Sequence, residues 1–348
     1  MVAARLAGLP PTARDTLASK NCDEVTEMLH CTVLDDYQGA AAAFADWAPV
    51  GDRVAVRMMR EHVSDEAQLA QVLHDDEIVV IMRERTAFPE SLFDRLPSLR
   101  LLVTTGFRNA SIDLSAAARH GVTVCGTASG SRPPAELTWA LILGLARNLV
   151  AENVALRSGG QWSKTIGADL AGATLGLLGL GRIGADVARV GLAFGMHVQA
   201  WSQNLTPDHA AAQGVHHARS LHDLLASSDF VSIHLVLGDR TRGLVDRAAF
   251  ESMRPSAYLI NTARAAIVDQ AALLDVLQRR RIAGAGLDVF DLEPLPAAHP
   301  FRILPNVLAT PHLGYVTRSN YAAYFTQVVE DIHAYLVGRP IRILGSPT

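Results

Sequence analysis

The chain has 348 residues, of which 49% are hydrophobic and 19% are charged, and its formal net charge is −4 at pH 7. This length exceeds what one ordinary hydrophobic core serves, so it predicts two domains. The composition is that of a globular protein, and the slightly acidic balance gives no basic surface that would recruit a nucleic acid or an anionic membrane.

The cysteines and the N-terminal segment indicate where the protein works. Cys22, Cys31 and Cys125 form neither a paired framework nor a metal-ligand spacing, which favours a reducing compartment, and we predict the cytoplasm. No apolar run reaches the length of about 18 residues that a membrane helix needs. Residues 1–27 lack the apolar core of a signal peptide. We expect them to form a flexible extension, or translation to begin at Met28.

Strand-like and helix-like segments alternate through most of the sequence, which is typical of an α/β protein with parallel sheets. Helical patterns cover residues 65–74 and 111–120, and a long apolar pattern over 134–158 predicts one helix that bridges two domains. Short apolar runs in the first block predict strands at residues 31–36, 53–58, 77–82, 99–106 and 122–126.

A second α/β block begins at Ala173 with the apolar run ATLGLL. A final helical pattern, NYAAYFTQVVEDIHAYLVG, ends at Gly338. The pattern therefore predicts one α/β domain, a complete second domain after it, and a C-terminal helix that returns to the first domain. Further strands of the second block are predicted at residues 195–201, 229–236, 257–261 and 284–289.

The segment GLGRIG places glycines at 179, 181 and 184, between an apolar strand and a helix. This spacing is typical of a dinucleotide-binding turn. Gly179 permits the tight turn, Gly181 lets a pyrophosphate approach the backbone, and Gly184 allows close packing of helix on strand. The N-terminus of the helix then offers N–H groups to the phosphates. The sequence therefore predicts a dinucleotide cofactor.

The strand after this turn is followed by Ser202, at the position where an acidic residue usually binds the adenosine ribose. A serine lacks the carboxylate that repels a 2′-phosphate, yet no arginine follows that would attract one. The choice between NAD and NADP stays open at this point. We favour NAD because the cation that NADP needs is absent.

Arg264, Glu293 and His312 follow three successive predicted strands. Individually, each has a structural explanation: a surface salt bridge, a loop carboxylate and a turn residue. However, the carboxyl ends of parallel strands meet at one edge of a sheet, where α/β proteins bind ligands. A histidine exchanges protons near neutral pH, a carboxylate orients its ring, and a guanidinium grips a substrate carboxylate. Together they predict hydride transfer to and from a 2-oxo acid.

The motifs GLGRIG, NTARAAIVDQAAL, GLDVFDLEPLP and ATPHLG occur in this order and resemble those of the D-isomer-specific 2-hydroxyacid dehydrogenase family. The resemblance covers the chain from Cys31 onward. It implies an α/β fold of two Rossmann-like domains with the active site in the cleft between them. A discontinuous flavodoxin-like substrate domain would comprise residues 28–130 and 316–348, and residues 131–315 would form the inserted dinucleotide-binding domain.

The resemblance also implies an activity and an assembly. The protein would interconvert a D-2-hydroxy acid and its 2-oxo acid with NAD or NADP, and it would be a homodimer through the nucleotide domain and the long helix. Arg264 would bind the substrate, and Glu293 with His312 would form the acid–base pair. Further residues would contact the cofactor: Asp288 the nicotinamide carboxamide, Arg182 and Ile183 the pyrophosphate, and the backbone near Thr262 and Leu235 the nucleoside.

In the first domain, the segment TTGFRNASID resembles the family's loop for the substrate carboxylate. The resemblance implies that the backbone amides of Thr105, Gly106 and Phe107 bind this carboxylate. Arg83, in MRERT, matches a position that sometimes contacts substrate, and a structural ion pair is an equally good explanation for it.

Two other functions remain open on the sequence. An NADH-binding regulatory protein of the same fold would keep the same residues, and a phosphite-type dehydrogenase would use them on another small oxyanion. We predict no metal site, because His209, His216 and His217 lack ligand spacing and nearby carboxylates. Trp139 and Trp162 are expected to be packing anchors.

Overall fold

The structure is a computed structural model that describes residues 28–130 and 132–345. The predicted extension, residues 1–27, lies outside the described residues. Two parallel sheets dominate the fold, and each separates two apolar clusters formed with the surrounding helices. The predicted α/β class with parallel sheets is therefore confirmed.

The first sheet has five parallel strands in the order β2-β1-β3-β4-β5. Its central strands are buried on both faces, which explains why they read as continuous apolar runs. The strand order reverses between β1 and β3, so a crevice opens at their carboxyl ends. The strands are β1 (Leu29–Val33), β2 (Val54–Met58), β3 (Ile78–Ile81), β4 (Leu101–Thr104) and β5 (Thr123–Gly126). The helices are α1 (Ala41–Phe44), α2 (Ala48–Gly51), α3 (Glu66–Val72), α4 (Glu90–Phe93) and α5 (Leu114–Arg119).

The prediction of one helix over residues 134–158 is wrong. The segment forms two helices, α6 (Arg132–Ala146) and α7 (Leu149–Arg157), bent by 63°. Asn148 adopts a left-handed conformation with φ 51°, which an α-helix cannot continue through. Within the described chain, no single helix is long and apolar enough to cross a membrane. Only this bent pair has both the length and the composition that such a span needs.

The two helices lie in different environments. About half of α6 is buried, including Trp139 and Ile142, and it packs against the second sheet. By contrast, α7 has no buried residue and exposes Leu149, Val150 and Val154. The apolar pattern therefore reflects a core contact in one helix and an uncovered surface in the other.

The second sheet has seven parallel strands in the order β12-β11-β10-β9-β6-β7-β8, and its order reverses between β6 and β9. A crevice for a dinucleotide is expected at that reversal. The strands are β6 (Thr174–Leu178), β7 (His197–Trp201), β8 (His216–His217), β9 (Phe230–Ile233), β10 (Tyr258–Asn261), β11 (Gly284–Leu287) and β12 (Val307–Ala309). The helices are α8 (Arg182–Ala193), α9 (Pro207–Ala212), α10 (Leu221–Ser227), α11 (Arg247–Ser252) and α12 (Gln270–Gln278), with 3-10 turns at Ala265–Ile267 and Pro300–Arg302.

The last helix, α13 (Arg318–Leu336), returns to the first sheet, as the sequence predicts. Tyr324, Phe325 and Val328 are fully buried there, in the cluster that includes strands β1, β3 and β4. The chain then runs along β5, where the N–H of Gly126 donates to the carbonyl of Arg342 at 3.0 Å. In the chain, the second sheet therefore lies between the first sheet and the helix α13 that packs on it.

Candidate active site

His312 and Glu293 form a contact pair at the carboxyl edge of the second sheet. Nδ1 of His312 lies 2.7 Å from Oε2 of Glu293, and the N–H of Phe290 donates to the other carboxylate oxygen at 2.9 Å. The side chains are mostly buried, with 15% and 24% of their surfaces exposed. When Nδ1–H donates to the carboxylate, Nε2 is left to accept or release a proton. The structure thus brings together the two residues that the sequence placed in an acid–base pair.

The buried carboxylate of Asp288 holds the turn that carries His312. Oδ1 accepts hydrogen bonds from the hydroxyl of Thr310 at 2.6 Å and the N–H of Leu313 at 2.7 Å, and Oδ2 accepts from the N–H of Gly314 at 2.8 Å. Burial raises the pKa of Asp288, although these bonds oppose the rise. Sequence reasoning missed this anchoring role, and the contact of Asp288 with a nicotinamide stays a prediction.

Arg264 follows β10 and reaches across the cleft to the first sheet. Its Nη2 donates to Oε1 of Glu84 at 2.5 Å, and its Nη1 donates to the carbonyl of Ala263 at 2.7 Å. Glu84 stands directly after β3, so this ion pair joins the two sheets. Sequence reasoning missed Glu84. The signal that could have found it is a run of three charged residues, RER, directly after a buried strand.

Arg83 lies against the loop that was predicted to bind a carboxylate. Its Nη1 donates to the hydroxyl of Ser129 at 3.3 Å, and its guanidinium lies 5.5 Å from the ring centre of Tyr315. Gly106 has φ 105°, which favours glycine, and a Cβ there would come within 2.5 Å of Nη1. Burial lowers the pKa of Arg83, but the carboxylate of Glu84 and other neighbours outweigh it and raise the pKa overall.

In the loop that is predicted to bind the substrate carboxylate, two of the three backbone amides donate to other parts of the chain. The N–H of Thr105 already donates to the carbonyl of Ile81 at 3.1 Å, and the N–H of Gly106 donates to the hydroxyl of Thr127 at 2.9 Å. Both amides are thus used within the chain, and their binding of a substrate carboxylate stays a prediction. Of the three predicted amides, that of Phe107 alone has no hydrogen-bond partner among the described residues.

The glycine turn has the form that a pyrophosphate needs. Gly179 has φ 101°, and a Cβ there would lie 2.8 Å from the carbonyl oxygen of His234. A Cβ on Gly184 would lie 2.2 Å from the carbonyl oxygen of Gly179. A Cβ on Gly181 would meet no atom of the described chain within 4 Å. The fold therefore requires glycine at positions 179 and 184, whereas Gly181 leaves open space beside its backbone.

The start of α8 leaves backbone N–H groups for a ligand. Its N-cap residue is Gly181, which has no side chain to accept from them. In the described part of the chain, α1, α2, α4 and α7 also lack a side-chain cap. Seven helices there are capped by aspartate, serine or threonine side chains: α3, α5, α9, α10, α11, α12 and α13. An anionic phosphate fits this open, uncapped helix start.

The other predicted cofactor residues surround the same edge of the second sheet. Arg182 is exposed at the first position of α8, with the half-buried Ile183 next to it. Ser202 and Thr262 directly follow β7 and β10, Leu235 follows β9 after His234, and all three are half-buried. The Thr262 hydroxyl lies 2.9 Å from that of Thr138 on α6, which fixes this position.

His234 was not singled out in the sequence, yet it lies beneath the glycine turn. The residue is partly exposed, but its imidazole ring is buried. This burial lowers the pKa of His234 to about 4. Its Nε2 lies 2.9 Å from the hydroxyl of Ser232. The imidazole is therefore neutral near pH 7.

The three histidines that the sequence examined as metal ligands do not converge. His209 and His217 each lie within hydrogen-bonding distance of a backbone carbonyl, those of Leu180 and Leu205. In the part of the chain that the structure describes, no group of three or more His, Cys, Asp or Glu side chains could hold a metal ion.

Residues 139–314 match the family model of the D-isomer specific 2-hydroxyacid dehydrogenase NAD binding domain. The chain belongs to this family. NAD is the cofactor of the matched domain, which agrees with the open glycine turn and the uncapped helix start. The family is one of oxidoreductases that act on CH–OH donors.

Named relatives and solved structures extend the family match beyond the NAD domain. The D-3-phosphoglycerate dehydrogenase of Bacillus subtilis is 36% identical over 265 residues, which are 75% of this chain and 50% of that protein. This chain thus spans about half the length of that relative. The glyoxylate reductase of Aeropyrum pernix is 36% identical over 285 residues, 79% of this chain and 84% of that protein. A crystal structure described as a D-3-phosphoglycerate dehydrogenase oxidoreductase from Ralstonia solanacearum has a TM-score of 0.86 at 35% identity, covering 92% of this chain and 98% of that one.

Proposed function

We propose that this protein interconverts a D-2-hydroxy acid and its 2-oxo acid, using NAD as the hydride carrier. The observation that carries the proposal is the 2.7 Å contact between His312 and Glu293 at the edge of the NAD-binding domain that also carries Arg264. The names of the relatives point to two different substrates, phosphoglycerate and glyoxylate, so they support the reaction class and leave the acid open.

The residues of the cleft supply the remaining parts of the reaction. The cofactor supplies the hydride that adds to the carbonyl carbon of the 2-oxo acid. His312 donates a proton from Nε2 to the carbonyl oxygen, and Glu293 stabilises the charged ring and fixes its tautomer. Arg264 polarises the carbonyl with its guanidinium. In the reverse direction, His312 accepts the hydroxyl proton as the hydride leaves.

The carboxylate of the substrate would bind on the first sheet. Arg83 lies against the loop there, and the N–H of Phe107 has no hydrogen-bond partner in the described part of the chain. We propose that residues 28–130 with 316–348 form the substrate domain and that residues 131–315 form the NAD domain. Closure of the cleft between them would exclude water from the reacting atoms.

The test is NADH oxidation with a panel of 2-oxo acids from glyoxylate to phenylpyruvate, followed by chiral analysis of the product. Turnover with a D-configured product supports the proposal. Binding of NADH without turnover of any acid would instead support a regulatory protein. Turnover of phosphite without turnover of any 2-hydroxy acid would support a phosphite-type dehydrogenase.

We also propose that the protein is a homodimer and that α7 lies in the interface. Leu149, Val154 and Leu156 are more than half exposed, and Trp162 in the following loop is 85% exposed. The expectation that Trp162 is a packing anchor is therefore wrong within one chain. Contiguous apolar surface of this kind marks an interaction site. A cytoplasmic location stays a prediction of the cysteine pattern, and Cys31 and Cys125 are both buried and free.

The homodimer is tested by molar mass in solution. Leu156→Glu is expected to convert the dimer to a monomer, because it buries an unpaired charge in the interface. Val337→Glu is the matched control, since Val337 is 53% exposed at the end of α13, away from α7. A monomeric wild type, or loss of the dimer in both variants, would contradict this interface.

A further inference from the structure

Glu84 lies between two arginines that the proposed function assigns to the substrate. Its Oε1 accepts from Nη2 of Arg264 at 2.5 Å, and its Oε2 lies 3.6 Å from Nε of Arg83. The side chain is 16% exposed, and Oε2 is buried without a hydrogen-bond partner in the described chain. The proposed reaction makes no use of this carboxylate.

The carboxylate of Glu84 is a permanent negative charge. Burial raises the pKa of Glu84, but the guanidiniums of Arg264 and Arg83, with a further contribution from His312, outweigh it and hold the pKa below its usual value. The carboxylate of Glu84 also interacts electrostatically with His312, which belongs to the proposed acid–base pair.

Three neighbouring side chains, those of Arg85, His62 and His312, have other carboxylates beside them. Arg85 donates to the carbonyl of Asp35 at 2.8 Å, lies 4.3 Å from the ring centre of Tyr37, and has the Asp35 carboxylate as an electrostatic neighbour. His62 lies 2.9 Å from that same carboxylate. Glu293 is paired with His312. Arg85 and His62 therefore share the carboxylate of Asp35, and His312 has that of Glu293.

The charges of Arg83, Arg264 and Glu84 do not cancel. Two guanidiniums face one carboxylate, which leaves a single positive charge on the wall where the substrate would bind. One substrate carboxylate would neutralise that charge. A second anionic group would meet Glu84 without a cation of its own, and an unpaired charge in a partly buried site is unfavourable.

We infer that Glu84 is a specificity-determining positioning residue that restricts the substrate to 2-oxo acids with one negative charge. This inference rests on the proposed function, since it concerns the same site. Glu84 holds Arg264 in place with one oxygen and offsets half of the positive charge of the arginine pair. A 2-oxo acid with an added carboxylate or phosphate is then disfavoured.

The experiment compares kcat/KM for two sets of acids in NADH-dependent reduction. Glyoxylate, pyruvate and hydroxypyruvate carry one charge, whereas oxaloacetate, 2-oxoglutarate and phosphorylated hydroxypyruvate carry more. The wild type is expected to prefer the first set. Glu84→Gln keeps the size and can still accept from Arg264, so it should shift the preference toward the second set by roughly tenfold to a hundredfold, mainly through KM.

Two further variants separate charge from structure. Glu84→Asp keeps the charge and should retain the wild-type preference, with a higher KM for every acid because Arg264 is held less well. Glu90→Gln is the matched control, because it removes an exposed carboxylate that pairs with Arg119 on the surface. It should leave the preference unchanged.

Several outcomes overturn the inference. A wild type that reduces the more highly charged acids as well as the others would do so, as would an unchanged preference in Glu84→Gln. Equal loss of kcat for all acids would show a merely structural role. If Glu84→Gln does not fold, the wild-type preference and Glu84→Asp decide. Failure to reduce any 2-oxo acid would instead end the proposed function, so the two failures are distinguishable.

Discussion

Nδ1 of His312 lies 2.7 Å from Oε2 of Glu293, although the two residues stand 19 positions apart on different loops. Glu293 follows β11, and His312 follows the neighbouring strand β12. The carboxylate of Asp288 accepts a hydrogen bond from the turn that carries His312, and the N–H of Phe290 donates to the Glu293 carboxylate. Both partners are thus oriented before a substrate arrives, which is what proton transfer in a single step requires.

Replacing His312 by alanine should stop proton transfer without disturbing the cofactor site. We expect the chemical step to slow by about 10²–10⁴, as is typical for the loss of a general acid. NADH binding should stay near the wild-type value, because the glycine turn lies on other strands. Single-turnover reduction and NADH fluorescence measure the two effects. His197→Ala, at an exposed position on β7, is the control, and a full-rate His312→Ala would remove His312 from the mechanism.

Glu293→Gln separates the orienting role of the carboxylate from its charge. The amide oxygen can still accept from Nδ1–H of His312, so the tautomer is kept, but the charged ring loses its counter-ion. We expect kcat for reduction to fall by roughly tenfold to a hundredfold with NADH binding unchanged. Asp291→Asn removes an exposed carboxylate two positions away and should have little effect. Equal rates for Glu293→Gln and wild type would show that the charge plays no part.

The parts of the site that the sequence predicts are set by local requirements. A tight turn and a close helix–strand approach depend on residues a few positions apart, so Gly179 and Gly184 could be recognised from spacing alone. The strand-end positions of Arg264, Glu293 and His312 follow from the alternation of strands and helices, because parallel strands end at one edge.

The missed features depend on what packs from elsewhere. Glu84 contacts Arg264 across 180 positions, and no local pattern encodes such a pair. The bend at Asn148 could not be recognised from the sequence because apolar residues occur on both sides of it. Those of α6 are largely buried in the core, whereas those of α7 lie on the surface. The internal use of the Thr105 and Gly106 amides depends on Ile81 and Thr127, which lie on neighbouring strands or next to them.

Two glycines of the turn should respond differently to alanine. A Cβ on Gly184 would lie 2.2 Å from the carbonyl oxygen of Gly179, so Gly184→Ala must displace backbone. We expect it to lower the free energy of unfolding by about 1–3 kcal/mol and to weaken NADH binding. Gly181→Ala meets nothing within 4 Å and should leave stability within about 0.5 kcal/mol.

Gly181→Ala should nevertheless weaken NADH binding, because its methyl group would fill the space that the pyrophosphate needs. Thermal unfolding with and without NADH measures both quantities for both variants. Normal NADH affinity in Gly181→Ala would mean that the pyrophosphate lies elsewhere. A stable Gly184→Ala would mean that the turn can relax around the added atom.

Asp331 should make the stability of the protein depend on pH. It is fully buried on α13, its Oδ1 accepts from Nε of Arg342 at 2.9 Å, and its Oδ2 has no hydrogen-bond partner in the described chain. Burial raises its pKa from 3.8 to about 7, although Arg342 opposes the rise. Between these values the folded chain binds more protons than the unfolded chain, so stability falls as the pH rises from about 4 to about 7 and stays reduced above that.

Asp331→Asn removes the buried charge while its amide oxygen can still accept from Arg342. We expect the variant to be more stable than the wild type at pH 8, by about 1–2 kcal/mol, because asparagine gives up the attraction to Arg342 along with the desolvated charge. At pH 5 the difference should shrink, since the wild-type carboxyl is then protonated. Glu330→Gln is the control, because Glu330 also pairs with Arg342 but is 51% exposed. Thermal unfolding of the variant and the wild type at pH 5 and pH 8 measures this difference. An equal difference in the free energy of unfolding at the two pH values would show that Asp331 is charged at both.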